Sequence, residues 1–182
     1  HDMGVTHIIR GDDHLNNAFR QQKMIEAMGW SQPVYAHIPL IHGADGAKLS
    51  KRHGALSVTA YRDMGFLPEA VNNYLLRLGW SHGDDEMISR DQAIDWFDLD
   101  GVGKSPARFD TDKLTALNSQ YLAQMPDDDL IQLITTDPLS DEIKHRLRLL
   151  APAIKERANL ITDLPAMARF ALINTPPPIE DD

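Results

Sequence analysis

Two short β-branched runs bracket a helical stretch at the start of the chain, and this pattern constrains the fold more than any other feature. Residues 5–9 (VTHII) read as a buried strand. The segment LNNAFRQQKMIEAMG follows, with Leu15, Phe19, Met24 and Met28 on a rough helical face. Asp12 or Asp13 is placed to cap that helix and Gly29 to end it. Residues 34–41 (VYAHIPLI) read as a second strand, with Pro39 marking an edge or an end. Strand, helix and strand in this order predict a βαβ unit with parallel strands and a right-handed crossover. Parallel strands share a rim at their C-terminal ends, where open α/β sheets bind ligands. Arg10, Asp12, Asp13 and the loop over 42–53 would all lie on that rim.

Beyond Ser57 the pattern turns helical. A short helix over 57–64 ends at Gly65, and Pro68 and Gly79 bracket another, matching the preference for Pro at helix starts and Gly at helix stops. Ser89 caps RDQAIDWF, the segment DLDGVGKSPARF reads as a loop, and Asp110 caps TDKLTALNSQYL. Three more helical segments are PDDDLIQLIT, SDEIKHRLRLLAP and DLPAMARFAL. Pro126, Asp127 and Ser140 stand at their starts. The sets Leu130–Leu133–Ile134 and Ile143–Leu147–Leu150 read as core.

The chain is 182 residues long, enough for one large domain or two small ones. It has no cysteine, which removes disulfides and thiolate zinc sites and fits a reducing cytoplasm. No apolar run is long enough to suggest a membrane span. The opening HDMGVTHIIR has no initiator Met and runs into a strand at once, which predicts a piece of a longer protein. The closing NTPPPIEDD reads as a stiff linker. The net charge of −9 is uneven: residues 1–62 carry +2 and residues 63–182 carry −11. A general nucleic-acid coat does not fit this balance, so an RNA partner would need local basic patches.

Against that background, IHGADGAKLSKRHGALS gathers Lys48, Lys51, Arg52 and His53 among glycines. Glycine permits close backbone approach, lysines are point charges for phosphate oxygens, and Ser50 adds a hydroxyl donor. The loop therefore suits a polyphosphate whose charge must be held while a bond at phosphorus changes. A solvated surface loop is the other reading of the same residues. The segment lacks the GxxxxGK[ST] pattern of a P-loop. His7, Asp12, Asp13 and His14 show no metal-ligand spacing, and His7 and His37, inside the strands, read as structural.

KLSKR, Lys48, Leu49, Ser50, Lys51 and Arg52, resembles the KMSKS signature of class I aminoacyl-tRNA synthetases. Taken with THIIRGDDHLNNAFRQ upstream, and SKRHGALSV, YRDMGFLPEAVNNYLLRLGWS and FDTDKLTALN downstream, the chain resembles the bacterial glutamyl-tRNA synthetases. The match is specific up to about Tyr121 and rests on position and helical character beyond Pro126. The resemblance implies ATP-dependent activation of glutamate to glutamyl-adenylate, then transfer to tRNA(Glu). It implies ATP with its Mg²⁺ as substrate, no zinc in this segment, no membrane partner and a monomeric parent.

Residue by residue, the resemblance gives Lys48 and Lys51 the charge developing on the α-phosphate and pyrophosphate. It sets Ile41 against adenine, Asp13 and Ser50 at ATP, Arg10 on the side-chain carboxylate of glutamate, and His14 near the amino-acid pocket. A bidentate guanidinium fits that carboxylate and disfavours a neutral amide. An Arg10 paired with Asp12 or Asp13 to hold a turn is the alternative. Arg62, Lys104, Arg108 and Lys113, and the stripe Lys144, Arg146 and Arg148, are candidate RNA phosphate contacts or plain surface residues.

The implied fold is α/β then all-α. Residues 1–56 would be the C-terminal half of a Rossmann-like nucleotide-binding fold, 57–125 a helical stem-contact region, and 126–182 the start of a helical anticodon-binding bundle. Ala116 stands where the family commonly has an aromatic residue. The HIGH-type signature is missing from the 182 residues, so the chain is expected to be inactive alone. A ligase that also charges tRNA(Gln), a shortened paralogue that modifies a tRNA base, and a non-catalytic tRNA-binding module are the alternatives.

Overall fold

The computed structural model describes residues 1–43, 45–49 and 57–173. The strand–helix–strand unit is present. β1 (His7–Gly11) and β2 (Val34–Ile38) pair in parallel, His7 against Val34 through Gly11 against Ile38, and α1 (Leu15–Ala27) connects them. The first strand begins later than its apolar run. Gly4, at φ +68°, folds residues 1–4 into a turn closed by its N–H on the His1 carbonyl at 2.9 Å. A single 3-10 turn, Asp12–His14, leads from β1 into α1.

The expected second strand is two. Pro39 has no N–H to give to a ladder, and β2 stops one residue before it. β3 (Ile41–His42) then joins a different sheet, pairing in parallel with β4 (Ala107–Arg108). β4 lies inside the segment expected to be a loop. At two residues it is too short to show an alternating pattern, which is why periodicity missed it.

Serine caps hold where a helix start was expected, but neither Asp12 nor Asp13 caps α1: both are taken into the 3-10 turn before it, and the α1 N-cap is His14 with no side-chain cap bond. α2 (Val58–Met64) starts on the Ser57 side chain, which accepts from Ala60 N–H, and stops at Gly65 in the left-handed region, φ +96°. α3 (Pro68–Gly79) keeps its Pro and Gly ends. α4 (Arg90–Trp96) opens on a capping box, Ser89 Oγ accepting from Gln92 N–H and Gln92 from Ser89 N–H. α5 (Thr111–Gln124), α6 (Asp127–Ile134), α7 (Asp141–Arg157), α8 (Leu164–Met167) and α9 (Arg169–Leu172) follow among the described residues. The proline expected to close α7, Pro152, lies inside it instead. Ala151 and Ile154 on either side are buried, and that packing carries the helix through the missing hydrogen bond.

The chain divides into two units, one of residues 1–55 and 73–110, the other of residues 56–72 and 111–182. The second holds the main core, where Leu67, Leu122, Leu130, Ile134, Leu147, Ile154 and Leu164 are buried together. Asn118, wholly buried on α5, ties its connections: Oδ1 accepts from Leu67 N–H at 2.8 Å and Nδ2 donates to the Asn159 carbonyl at 2.5 Å. The first unit is thinly packed, with Ile9, Leu15, Phe19, Met24, Met28 and Val34 all exposed.

Candidate active site

Arg10 stands at the C-terminal end of β1, in register with His37 of β2. Among the described residues its guanidinium donates to an amide, a carbonyl and an imidazole acceptor: Nη1 to Gln21 Oε1 at 2.9 Å, Nη2 to the His14 carbonyl at 3.2 Å, and Nε to His37 Nε2 at 3.4 Å. The same guanidinium lies 5.5 Å from the centre of the Tyr35 ring. The alternative of an Arg10 ion pair with Asp12 or Asp13 is not realised. Among the described residues Arg10 has no carboxylate partner, so its half-buried charge is fixed in place and uncompensated.

The acidic residue is taken up by a lysine instead. Asp13 Oδ2 accepts from Lys48 Nζ at 2.6 Å, across 35 positions of sequence. That hydrogen bond holds the Asp13 carboxyl below the ordinary aspartate value. Lys48 reaches Asp13 because residues 45–49 turn back beside residues 41–43 as a tight hairpin. Gly43 N–H donates to the Ala47 carbonyl at 2.9 Å, Gly46 turns at φ +77°, and Leu49 N–H returns to the Ile41 carbonyl at 2.8 Å. An antiparallel bridge pairs His42 with Lys48. Asp45 Oδ1 accepts from Ala47 N–H at 3.0 Å and steadies the turn.

The structure thus brings Arg10, Asp13, His14, Ile41, Lys48 and Leu49 of the expected set into the first unit, and joins Asp13 to Lys48. His14 sits at the foot of α1, its Nδ1 3.2 Å from Asn17 Nδ2. Ser50, Lys51 and Arg52 lie outside the described residues. Gln21 and Tyr35 escaped the sequence reading, and His37, read there only as a structural residue, joins them in fixing Arg10. Only the strand register and the face of α1 bring them together, and neither is written in a local motif. Tyr35 Oη is buried without a hydrogen-bond partner among the described residues. A cavity of about 610 Å³ opens between α1 and the strands, with Arg10 and Gln21 at its polar end and Ile8, Met24, Ile25 and Trp30 along its walls. Of the candidate RNA contacts, Arg62 pairs with Asp63 at 2.9 Å and Arg148 with Asp128 at 2.8 Å.

Among the described residues, no group of three or more His, Asp or Glu is gathered as a metal site, and no helix is long and apolar enough to cross a membrane.

A family model described as tRNA synthetases class I (E and Q), catalytic domain, matches residues 1–116. Glutamate–tRNA ligase 2 of Rhizorhabdus wittichii is 61% identical over 184 residues, covering 97% of this chain and 39% of that protein. Glutamate–tRNA ligase 2 of Paramagnetospirillum magneticum is 58% identical, covering 97% of this chain and 38% of its own length. A crystal structure of a glutamate tRNA ligase from Elizabethkingia meningosepticum, in complex with its amino acid, superposes with a TM-score of 0.80 at 34% identity, over 93% of this chain and 38% of that one. The chain therefore spans less than two fifths of the length of these relatives. With the family model matching well over half of its residues, the chain belongs to the class I tRNA synthetases of the E and Q type, through their catalytic domain.

Proposed function

We propose that this chain supplies the glutamate anchor and the signature lysines of a glutamate–tRNA ligase. The carrying observation is the meeting of β1 and the hairpin: Lys48 Nζ lies 2.6 Å from Asp13, three positions after Arg10. Residues from opposite ends of the βαβ unit thereby stand where a nucleotide and an amino acid could be held together.

In this reading Arg10 receives the side-chain carboxylate of glutamate. Its neutral partners leave its charge for that ligand, and replacing glutamate with glutamine would forfeit the charge-assisted pair. ATP enters with its Mg²⁺ as substrate, adenine against the backbone at Ile41 and ribose hydroxyls toward Asp13. The α-carboxylate of glutamate attacks the α-phosphorus. A phosphorus–oxygen bond forms, the bond to the β-phosphate breaks, and pyrophosphate leaves. Lys48 and Lys51, with Ser50, stabilise the charge that builds on the phosphates, and interactions stronger there than in the ground state accelerate the step. A terminal ribose hydroxyl of tRNA(Glu) then attacks the acyl carbon and AMP departs. His14 shapes the floor of the amino-acid pocket. The three regions 1–56, 57–125 and 126–182 serve as catalytic half, stem-contact region and start of the anticodon-binding part.

The test is glutamate-dependent exchange of pyrophosphate into ATP. We expect negligible exchange from the 182 residues alone, because they hold no HIGH-type tetrapeptide. We expect robust exchange when they replace the matching segment of the Rhizorhabdus wittichii ligase, 61% identical. In that chimera, Arg10→Gln lowers kcat/KM for glutamate by about tenfold to a hundredfold, and Lys48→Met lowers kcat by roughly a hundredfold. An inactive, correctly folded chimera would refute the reading.

A further inference from the structure

The strand pairings around His42 place three basic residues side by side. In parallel register His42 pairs with Arg108 of β4, and by the antiparallel bridge it pairs with Lys48. Residues paired across strands project from the same face, so Lys48, His42 and Arg108 form one row across the hairpin's return limb, β3 and β4, a short ribbon. With strands about 4.8 Å apart the row spans about 10 Å. The ribbon is held by backbone bonds on both sides, Leu49 N–H to the Ile41 carbonyl at 2.8 Å and Phe109 N–H to the His42 carbonyl at 2.8 Å. The Arg108 guanidinium reaches toward the hairpin turn, where a Cβ added to Gly46 would meet Nη2 at 4.0 Å.

Asp13 engages Lys48, and Asp45 is spent on the Ala47 N–H. Among the described residues neither His42 nor Arg108 has a side-chain hydrogen bond or an ion pair. The like charges of Lys48 and Arg108 on either side of His42 repel one another unless an anion lies along the row.

We propose that His42 and Arg108 extend the phosphate-binding surface of Lys48, so that the row binds a polyphosphate such as the triphosphate of a nucleotide or departing pyrophosphate. This rests on the reading of Lys48 as a phosphate-binding lysine. The imidazole of His42 offers an N–H donor and Arg108 a planar fork matched to phosphate oxygens. A compact polyphosphate fits better than an RNA backbone because residues 63–182 carry a charge of −11, which opposes a long polyanion.

The test is calorimetric titration of the 182-residue chain with inorganic tripolyphosphate at low ionic strength. Circular dichroism confirms that each variant is folded. We expect Arg108→Gln to weaken binding about fivefold to tenfold and Arg108→Lys to weaken it less. Arg90→Gln, which removes the same charge from an exposed site on α4, should leave binding unchanged. Lys48→Met should weaken binding at least as much as Arg108→Gln. If Lys48→Met weakens binding while Arg108→Gln matches Arg90→Gln, the extended row is refuted and the role of Lys48 stands. If the unaltered chain fails to bind, or Lys48→Met is without effect, both fall. If Arg108→Gln weakens binding of a single-stranded RNA oligonucleotide and not of tripolyphosphate, the residue contacts RNA instead and the proposal is overturned.

Discussion

Asp13 and Lys48 show how one contact changes the meaning of two residues. Read separately, Asp13 was an acid near a ribose and Lys48 a cation for phosphates. In the fold each is the other's partner at 2.6 Å, half exposed, so any anion approaching the lysine must compete with a carboxylate for it. The pair also has a pH signature. Asp13 is lowered first by its hydrogen bond to Lys48, so its folded value lies below the unfolded one. Such a group contributes stability above the unfolded aspartate pKa, and the contribution is lost as pH falls through the lowered folded value. Carbon-detected NMR titration of Asp13 should give a midpoint below that of an ordinary aspartate, and Lys48→Met should raise it. A midpoint unmoved by that substitution would mean that the pair does not persist in solution. Arg10 is the complementary case. It sits among neutral acceptors, and nothing in RGDDH foretold that Gln21 and His37 would aim it.

At the level of elements, caps and breakers did most of the work. Ser57, Ser89 and Ser140 each accept a backbone N–H at a helix start, as their position suggested. Gly65 does more than stop α2. At φ +96° it would strain any side chain, and a Cβ there would meet Thr162 N at 2.9 Å. Its carbonyl also accepts Ile161 N–H at 2.8 Å. Gly65→Ala should therefore cost about 1–3 kcal/mol in denaturant unfolding. On α5, Asn118→Ala would strand the buried Leu67 N–H and remove the donor to the part-buried Asn159 carbonyl, for a loss of about 2–3 kcal/mol by the same measurement. An unchanged midpoint in either variant would contradict the packing described here. β4 marks the limit of local signals: two residues become a strand only because His42 arrives beside them.

Across the whole molecule, apolar burial is concentrated in one unit. Leu122, Leu130, Leu147 and Leu164 are wholly buried in the helical unit, while the strand unit leaves Phe19, Met24 and Met28 about 60% exposed. Stability should follow burial. Hydrogen exchange on the 182-residue chain should protect α5, α6 and α7 far longer than β1, α1 and β2, and Leu147→Ala should cost about 3 kcal/mol in the helical unit. Equal protection across the two units would refute this ordering. The chain by itself determined its helices, its parallel strand pair and its family, because periodicity, caps and a signature loop are written within a few residues of one another. Tertiary structure decided which strands neighbour which, that Pro39 separates two sheets, that Pro152 stays inside a helix, and that Lys48 meets both Asp13 and the His42–Arg108 row. Those outcomes depend on register and on contacts between residues tens of positions apart, whose free energy appears only once the loops between them have closed.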